Sequence, residues 1–215
     1  MVLAMQPDPA LTVQIRPAAT LVLWRSGTAG PEVLMGQRGA QAAFMPSKYV
    51  FPGGAVDDGD GTGACDIDIA PECHQRLTLN CPADAPSPKA MVAAAVRELL
   101  EETGLRLVSK PTSAPDMRFV FRAITPPGRS RRFDARFFLA DAASIAGDPE
   151  DFSAALGELS HLHWIGLSQT RKLDLPFITE VVLSEISHHL RGQSRQNGVP
   201  FFDNSSHVPT FRRLG

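Results

Sequence analysis

The sequence has few of the features that mark secreted, membrane-spanning or nucleic-acid-binding proteins. Its three cysteines, Cys65, Cys73 and Cys81, are too few and odd in number for a disulfide scaffold. No stretch approaches the roughly 18 consecutive apolar residues of a transmembrane helix, and the N-terminus lacks the basic and apolar regions of a secretory signal. The formal net charge of −2 leaves no basic surplus of the kind that dominates nucleic-acid binding. We therefore expect a cytoplasmic protein with no membrane or nucleic-acid partner.

Several catalytic and metal-binding motifs are also missing. The sequence contains no GxSxG, so a serine hydrolase of that type is not indicated. It contains no GxxxxGK[ST], which argues against a P-loop nucleotide hydrolase. The cysteines are eight residues apart without a CxxC pair, which makes a zinc site with His74 a weak alternative to free thiols.

What is present is a sequence of 215 residues, 43% of them hydrophobic, which suits one domain with an insertion. Apolar runs predict a hairpin of two strands at 18–25 and 32–38, followed by the stretch 49–63, which begins as a strand and becomes a Gly/Asp-rich loop. Residues 61–88 lack sustained periodicity and are interpreted as an insertion, and 193–215 as an irregular tail. Further strands are predicted at 117–126, 132–141 and 161–167, and helices at 87–104 and 176–192. This order predicts an α/β fold with a mixed sheet between helices.

The stretch AAAVRELLEETGL, residues 93–105, carries three closely spaced glutamates on the first of these helices. Glu98, Glu101 and Glu102 would lie on neighbouring positions of one helical turn, where like charges repel. A hard divalent cation such as Mg²⁺, which prefers oxygen ligands, would turn that repulsion into shared attraction. Arg97 can pair with Glu101 one turn on. The alternative is an acidic helix face that simply meets water.

The residues RELLEETGL, 97–105, resemble the second half of the Nudix motif at all of its fixed positions. Upstream, FPGGAVDDGD at 51–60 resembles the start of that motif, with Asp60 where the family usually has glutamate. The family has seven residues between that position and the arginine, whereas here 36 residues lie between Asp60 and Arg97. The motif is therefore split by the insertion, as in a Nudix subgroup that includes coenzyme A diphosphatases.

The resemblance implies a single Nudix domain over 1–215, an α/β/α sandwich that hydrolyses the diphosphate linkage of a nucleoside diphosphate derivative. It implies Mg²⁺ as cofactor, with Mn²⁺ as an alternative. Glu98, Glu101, Glu102 and the carbonyl of Gly54 would be the metal ligands, with the carbonyl of Gly53 as an alternative to that of Gly54. Arg97 would orient the glutamates.

The resemblance also assigns groups to substrate and to the proton. Arg38 and Arg132, with Gly53 and Gly54, are candidate contacts to the phosphates. The catalytic base is left open among Glu98, Glu101, Glu150 and Glu158, because Nudix enzymes carry it either on the helix or on a later loop. A solvated surface position is the alternative for each loop residue.

The subgroup resemblance makes coenzyme A or an acyl-coenzyme A the first substrate hypothesis. ADP-ribose or another dinucleotide remains an alternative, and so does a Nudix-like module that binds a nucleotide or a protein without turning it over. A homodimer is expected because many Nudix domains form one.

Overall fold

The computed structural model describes residues 13–63, 65–110, 115–192 and 198–215. Eleven strands lie in these ranges, with the following bounds: β1 (Ile15–Gly27), β2 (Gly30–Arg38), β3 (Tyr49–Val50), β4 (Gly53–Ala55), β5 (Arg106–Leu107), β6 (Arg118–Ile124), β7 (Arg132–Asp141), β8 (Ile145–Ala146), β9 (Leu159–Gly166), β10 (Val199–Asp203) and β11 (Thr210–Leu214). The helices in the same ranges are α1 (Pro71–Thr78), α2 (Pro88–Thr103) and α3 (Phe177–Leu190).

Nine of the strands form one mixed sheet in the order β11-β10-β6-β7-β1-β2-β3, with β4 paired to β1 and β9 paired to β2. The pairs β1–β7 and β6–β10 are parallel, and the other pairs of this sheet are antiparallel. β5 and β8 form a separate two-stranded ribbon. A mixed sheet between helices was predicted from the sequence, and this prediction is confirmed.

The sheet has a hydrophobic core on each face, which gives the α/β/α arrangement. On one face, Leu21 and Phe138 pack with Met91 and Leu99 of α2. On the other face, Val22, Phe121 and Phe137 pack with a group of α3 residues that includes Val182, Leu183 and Ile186. Within the described ranges no helix combines the length and apolarity needed to cross a bilayer.

Helix α2 begins and ends where local signals in the sequence place it. The Ser87 hydroxyl accepts a hydrogen bond from the Ala90 N–H at 3.2 Å, and Pro88 occupies the first helical position. Gly104 ends the helix in the left-handed conformation, with φ of 77°. This conformation suits glycine because it has no Cβ. These caps fix the register of the helix, and with it the positions of the glutamates.

The C-terminal region differs from the prediction. The irregular tail expected at 193–215 is wrong for residues 199–203 and 210–214, which form β10 and β11 at one edge of the sheet. Residues 204–209 form the irregular connection between these strands. β10 pairs in parallel with β6, a long-range contact that local sequence does not encode. Residues 193–197 lie outside the described ranges. The insertion also contains α1, whose buried Cys73 and Leu77 join the core on the α2 side.

Candidate active site

The site begins where β1 changes partner. Residues 24–27 of β1 pair with β2, whereas residues 18–20 pair with β4. Glu102 of α2 lies between β4 and the end of β2, with only 2% of its surface exposed. Its Oε2 accepts a hydrogen bond from the Gly53 N–H at 2.8 Å, and its Oε1 lies 3.9 Å from Nη1 of Arg38. A carboxylate is therefore held deep between two strand ends.

Burial dominates the protonation of Glu102. Its pKa is raised to about 8, mainly by desolvation. The Gly53 N–H and the charge of Arg38 oppose the rise, and the charges of Glu98 and Glu158 add to it. The pKa of Glu98 is raised by the same main cause, which its pairing with Arg97 offsets only in part. Both shifts mean that the neighbouring arginines do not supply enough positive charge to stabilise Glu98 and Glu102 in their ionised forms.

Arg97 is the centre of the ion-pair network around the glutamates. Its Nη1 donates to Glu98 Oε1 at 2.8 Å and to Glu101 Oε2 at 3.2 Å, and its Nη2 donates to the Ala55 carbonyl at 3.0 Å. Its guanidinium also reaches Asp60, with Nε to Oδ1 at 2.9 Å and Nη2 to Oδ2 at 3.1 Å. One arginine therefore ties the two halves of the split motif together and holds the glutamates in place.

Asp60 is only 7% exposed, at the end of a short 3-10 turn formed by Asp58–Gly61. Burial acts to raise its pKa, but hydrogen bonds from Arg97 and from the Asp57 N–H outweigh burial and hold the pKa below its usual value. The side chain is thus committed to Arg97, which explains how an aspartate fits despite its shorter reach than glutamate.

Two glycines allow the backbone of β4 to approach the glutamates. A Cβ on Gly54 would lie 2.2 Å from Glu98 Oε1 and 2.4 Å from its carboxyl carbon. A Cβ on Gly53 would lie 2.7 Å from the Ala19 carbonyl oxygen. Because real Cβ atoms do not come so close to other atoms, any side chain at 54 would displace the Glu98 carboxylate.

The strand register separates the roles of these glycines. In the antiparallel pair of β1 and β4, residues alternate between those bonded to the partner strand and those that face away. The Leu21 N–H donates to the Pro52 carbonyl, and the Val56 N–H donates to the Pro17 carbonyl. Gly54 is two residues from both Pro52 and Val56, so its N–H and C=O also point towards β1, at Ala19. Gly53 faces away from β1, as its N–H bond to Glu102 shows. The carbonyl expected as a metal ligand at Gly54 is therefore better supplied by Gly53.

Comparison with known proteins places this geometry in a fold family. No family model matches the chain. Among solved structures, it resembles a Nudix hydrolase from Alicyclobacillus acidocaldarius with a TM-score of 0.56 and 26% identity, over 80% of this chain and 91% of that one. It also resembles the Nudix domain of Shewanella oneidensis NrtR in complex with ADP ribose, with a TM-score of 0.53 and 14% identity over 86% and 94% of the two chains. An Ap4A hydrolase from C. elegans gives a TM-score of 0.51 and 18% identity over 83% and 99%.

The chain has the Nudix hydrolase fold. The match to the Alicyclobacillus protein, combined with the intact motif at 97–105, supports a Nudix pyrophosphatase. The coenzyme A subgroup rests on the split motif alone.

The donor set fits a divalent ion that is shared with substrate. Within the described residues, no three acidic, histidine or cysteine side chains are already gathered into a metal-binding group. Mg²⁺ does not require one, because it usually takes one or two carboxylates and completes its shell with waters and substrate phosphates. Glu98 and Glu102, with raised pKa values beside the glycine backbone, provide such a pair of carboxylates.

The two loop carboxylates proposed as bases are in different surroundings. Glu150 is bound through Oε1 to Arg25 Nη1 at 2.5 Å, beside the hairpin end of β1 and away from the motif. Glu158 is exposed and close enough for its charge to raise the pKa of both Glu98 and Glu102. Of the two, only Glu158 lies near the glutamates.

The two arginines expected to meet phosphate also differ. Arg38 is partly exposed beside Glu102, and its buried Nε has no hydrogen-bond partner among the described residues. Arg132 is only 2% exposed and donates to the carbonyls of Thr125, Asn204 and Ser205. The assignment of Arg132 to substrate is therefore wrong: its guanidinium holds the C-terminal hairpin to β7.

Proposed function

We propose that this protein is a divalent-metal-dependent Nudix hydrolase that cleaves the diphosphate linkage of a nucleoside diphosphate derivative. The observation that carries this proposal is a pair of incompletely neutralised carboxylates, the half-buried Glu98 and the buried Glu102, against the glycine backbone of β4. Structural stability alone gives no reason to bury Glu102 with a pKa near 8. A cation between the two carboxylates gives one.

Each residue then has a role that its surroundings support. Glu98 and Glu102, with the Gly53 carbonyl, would hold the ion, and Arg97 would fix the orientation of Glu98 and Glu101. Arg38, with an unpaired Nε, would bind a phosphate oxygen of the substrate. When bound, the ion would offset diphosphate charge and lower the pKa of the attacking water.

The reaction adds water across one phosphorus–oxygen bond of the diphosphate. The water oxygen bonds to phosphorus, the bridging oxygen leaves with its electron pair, and a carboxylate takes the proton from the water. Glu150 is bound to Arg25 away from the motif, which leaves Glu98, Glu101 and Glu158 as candidates. Glu98 and Glu101 both accept hydrogen bonds from Arg97, so pairing with arginine does not separate them. Separate Glu98→Gln, Glu101→Gln and Glu158→Gln variants distinguish the three, since loss of the base removes the acidic limb of the pH–rate profile.

The first substrate hypothesis is coenzyme A or an acyl-coenzyme A, which would give a phosphopantetheine and an adenosine bisphosphate. It is supported by the resemblance of the split motif, in which the insertion at 61–88 separates Asp60 from Arg97. ADP-ribose or a dinucleotide is the alternative. Two proteins of the same fold carry such ligands in their names, one in complex with ADP ribose and one an Ap4A hydrolase.

A substrate panel tests both levels of the proposal. Coenzyme A, acetyl-coenzyme A, ADP-ribose and Ap4A are incubated with the protein and Mg²⁺, and the products are separated by chromatography. Wild type should hydrolyse at least one of them, and Glu102→Gln should lose roughly two or more orders of magnitude in turnover. Glu180→Gln, an exposed glutamate on α3, is the matched control. Tight binding without any product would replace the hydrolase with a nucleotide-binding module.

Three further expectations belong to the same proposal: one domain over the whole chain, a homodimer and a reducing, cytoplasmic setting. The three free cysteines support the reducing setting. Light scattering after size-exclusion chromatography measures the oligomeric state directly.

A further inference from the structure

A cleft of about 370 Å³ lies between α1, β6, α3 and β10. Its size falls in the range of small-molecule sites, roughly 300–1,000 Å³. Its walls include Arg76 of α1, Arg118 of β6 and Val199 of β10. One wall comes from the insertion, which the Nudix motif itself does not contain.

The cleft is separate from the carboxylates around Glu102. Arg118 is in register with Leu139, which is in register with Val22 of β1, whereas Gly54 is in register with Ala19. The two places therefore lie three strands apart across the sheet, roughly 14 Å, and three residues apart along β1, roughly 10 Å. A ligand in the cleft would not occupy the hydrolytic site.

The cleft has two arginines that the protein leaves without an ion-pair partner. Among the described residues, neither Arg76 nor Arg118 forms an ion pair or a side-chain hydrogen bond. Both act on the same buried thiol: burial raises the pKa of Cys73, and the two guanidinium groups oppose that rise. Arg76 and Arg118 therefore both line the cleft close to Cys73, beside Glu72.

The remaining charges of the cleft do not cancel this pair. Glu185 lies 3.5 Å from Arg213, which offsets its charge, and Glu72 is exposed. Burial lowers the pKa of His189, and the charge of Arg118 lowers it further, so the histidine is neutral around pH 7. Two arginines face one unpaired carboxylate.

We propose that this cleft binds a small organic phosphate, with the phosphate between Arg76 and Arg118 and the rest of the molecule against Val120, Val199 and Pro200. Two guanidinium groups match a phosphate dianion better than a single carboxylate, because each can donate two parallel N–H bonds to its oxygens. The apolar wall gives an organic phosphate an advantage over inorganic phosphate. This site is independent of the hydrolytic function.

Calorimetric titration in EDTA tests the proposal, because removal of divalent ions weakens phosphate binding at the Nudix motif. The probes are adenosine 5′-phosphate and inorganic phosphate. Wild type should bind adenosine 5′-phosphate at one site with a Kd below about 1 mM, and inorganic phosphate more weakly. The double variant Arg76→Gln/Arg118→Gln should bind the nucleotide at least about tenfold more weakly, because two charge-assisted contacts are lost.

The controls separate the cleft from general charge effects. Arg171→Gln/Lys172→Gln changes the exposed charge by the same amount and should bind like wild type, as should Glu102→Gln. Arg118→Gln alone, at an exposed position, serves if the double variant does not fold. The proposal is overturned if wild type shows no saturable binding, if the cleft variant binds as wild type does, if the charge control loses as much affinity, or if both probes bind equally.

Discussion

Two charged clusters lie on the same face of the sheet and have an excess of opposite sign. The acidic cluster consists of Glu98, Glu101 and Glu102 beside β4, and the basic cluster consists of Arg122 and Arg136 with Asp134 on β6 and β7. One row of paired residues crosses the sheet from the first cluster to the second. It consists of Gly54 on β4, Ala19 on β1, Arg136 on β7 and Arg122 on β6. The acidic cluster has more carboxylates than arginines, and the second cluster has Arg122 and Arg136 around the single carboxylate of Asp134. Each cluster carries an excess of one sign.

The basic cluster is mostly closed by the protein itself, although the buried Nε of Arg136 has no hydrogen-bond partner among the described residues. Arg122 donates hydrogen bonds to both carboxylate oxygens of Asp134, at 2.8 and 2.7 Å. It also donates to the carbonyls of Leu79 and Asn80 in the insertion. Arg136 donates to the Asp134 carbonyl and to the Cys81 thiol. Both arginines are 1% exposed. Their hydrogen bonds attach the insertion to the sheet, so this excess of charge serves the fold.

The acidic cluster is left open. Glu98 and Glu102 have raised pKa values because burial is not matched by enough positive charge, and Arg38 remains 3.9 Å from Glu102. The difference indicates that charge satisfied by backbone carbonyls stabilises the structure, whereas charge left unsatisfied beside a glycine backbone is available to a ligand. Four substitutions test this difference between the two clusters.

The largest effect is expected from Asp134→Asn in the basic cluster. The change leaves two buried guanidinium groups without a counter-charge, and we expect a loss of about 3–5 kcal/mol in the free energy of unfolding. Urea denaturation followed by circular dichroism measures it. Asp174→Asn, which removes only the exposed pair with Lys48, is the control and should cost less than about 1 kcal/mol. Equal losses in the two variants would remove the contrast between a buried and an exposed pair.

Glu98→Gln should have the opposite profile, with a stable fold and poor catalysis. We expect turnover to fall by roughly two orders of magnitude, because a metal ligand is lost, while the melting temperature changes little. Steady-state kinetics on the best substrate of the panel, together with thermal denaturation, gives both values. Near-normal turnover would remove Glu98 from the ligand set.

The stability of the metal-free protein should depend on pH through Glu102. Its pKa is raised to about 8 in the folded protein from 4.5, so the folded state holds the proton more tightly than the unfolded state. This contribution to stability is fully present below pH 4.5 and is lost as the pH rises towards 8. In EDTA at pH 7, Glu102→Gln should therefore be more stable than wild type by on the order of 2 kcal/mol. Parallel stability curves for the two proteins between pH 5 and 8 would contradict this.

The smallest effect is expected from Gly54→Ala. The new Cβ would meet the Glu98 carboxylate and turn it away from the ion, so we expect turnover to fall by about tenfold. Gly59→Ala is the matched control, because a Cβ there meets no atom within 4 Å. Similar turnover in the two variants would show that the close approach at Gly54 is not needed.

The sequence predicted what local signals determine. The caps at Ser87 and Gly104 fixed the ends of α2, and the motif at 97–105 placed the glutamates on one turn. The sequence also predicted that Arg97 is paired with Glu101, although its fork on Asp60 depends on how the chain returns after the insertion.

Long-range contacts explain what the sequence did not predict. Arg132 stands in a polar run with Arg129 and Arg131, and nothing local indicates that its side chain is buried against the distant carbonyls of Asn204 and Ser205. β11 is mostly exposed and its residues lack an apolar alternation, so nothing local distinguishes it from a loop. Its pairing with β10 makes it a strand.

The central claim is that the crowded carboxylates of α2 hold a divalent ion beside the glycines of β4. Anomalous diffraction from crystals grown with Mn²⁺ and a non-hydrolysable diphosphate tests it most directly. We expect a peak within coordination distance of Glu98 and Glu102 and next to the Gly53 carbonyl. A map with no peak there, and with both carboxylates directed away from β4, would contradict it.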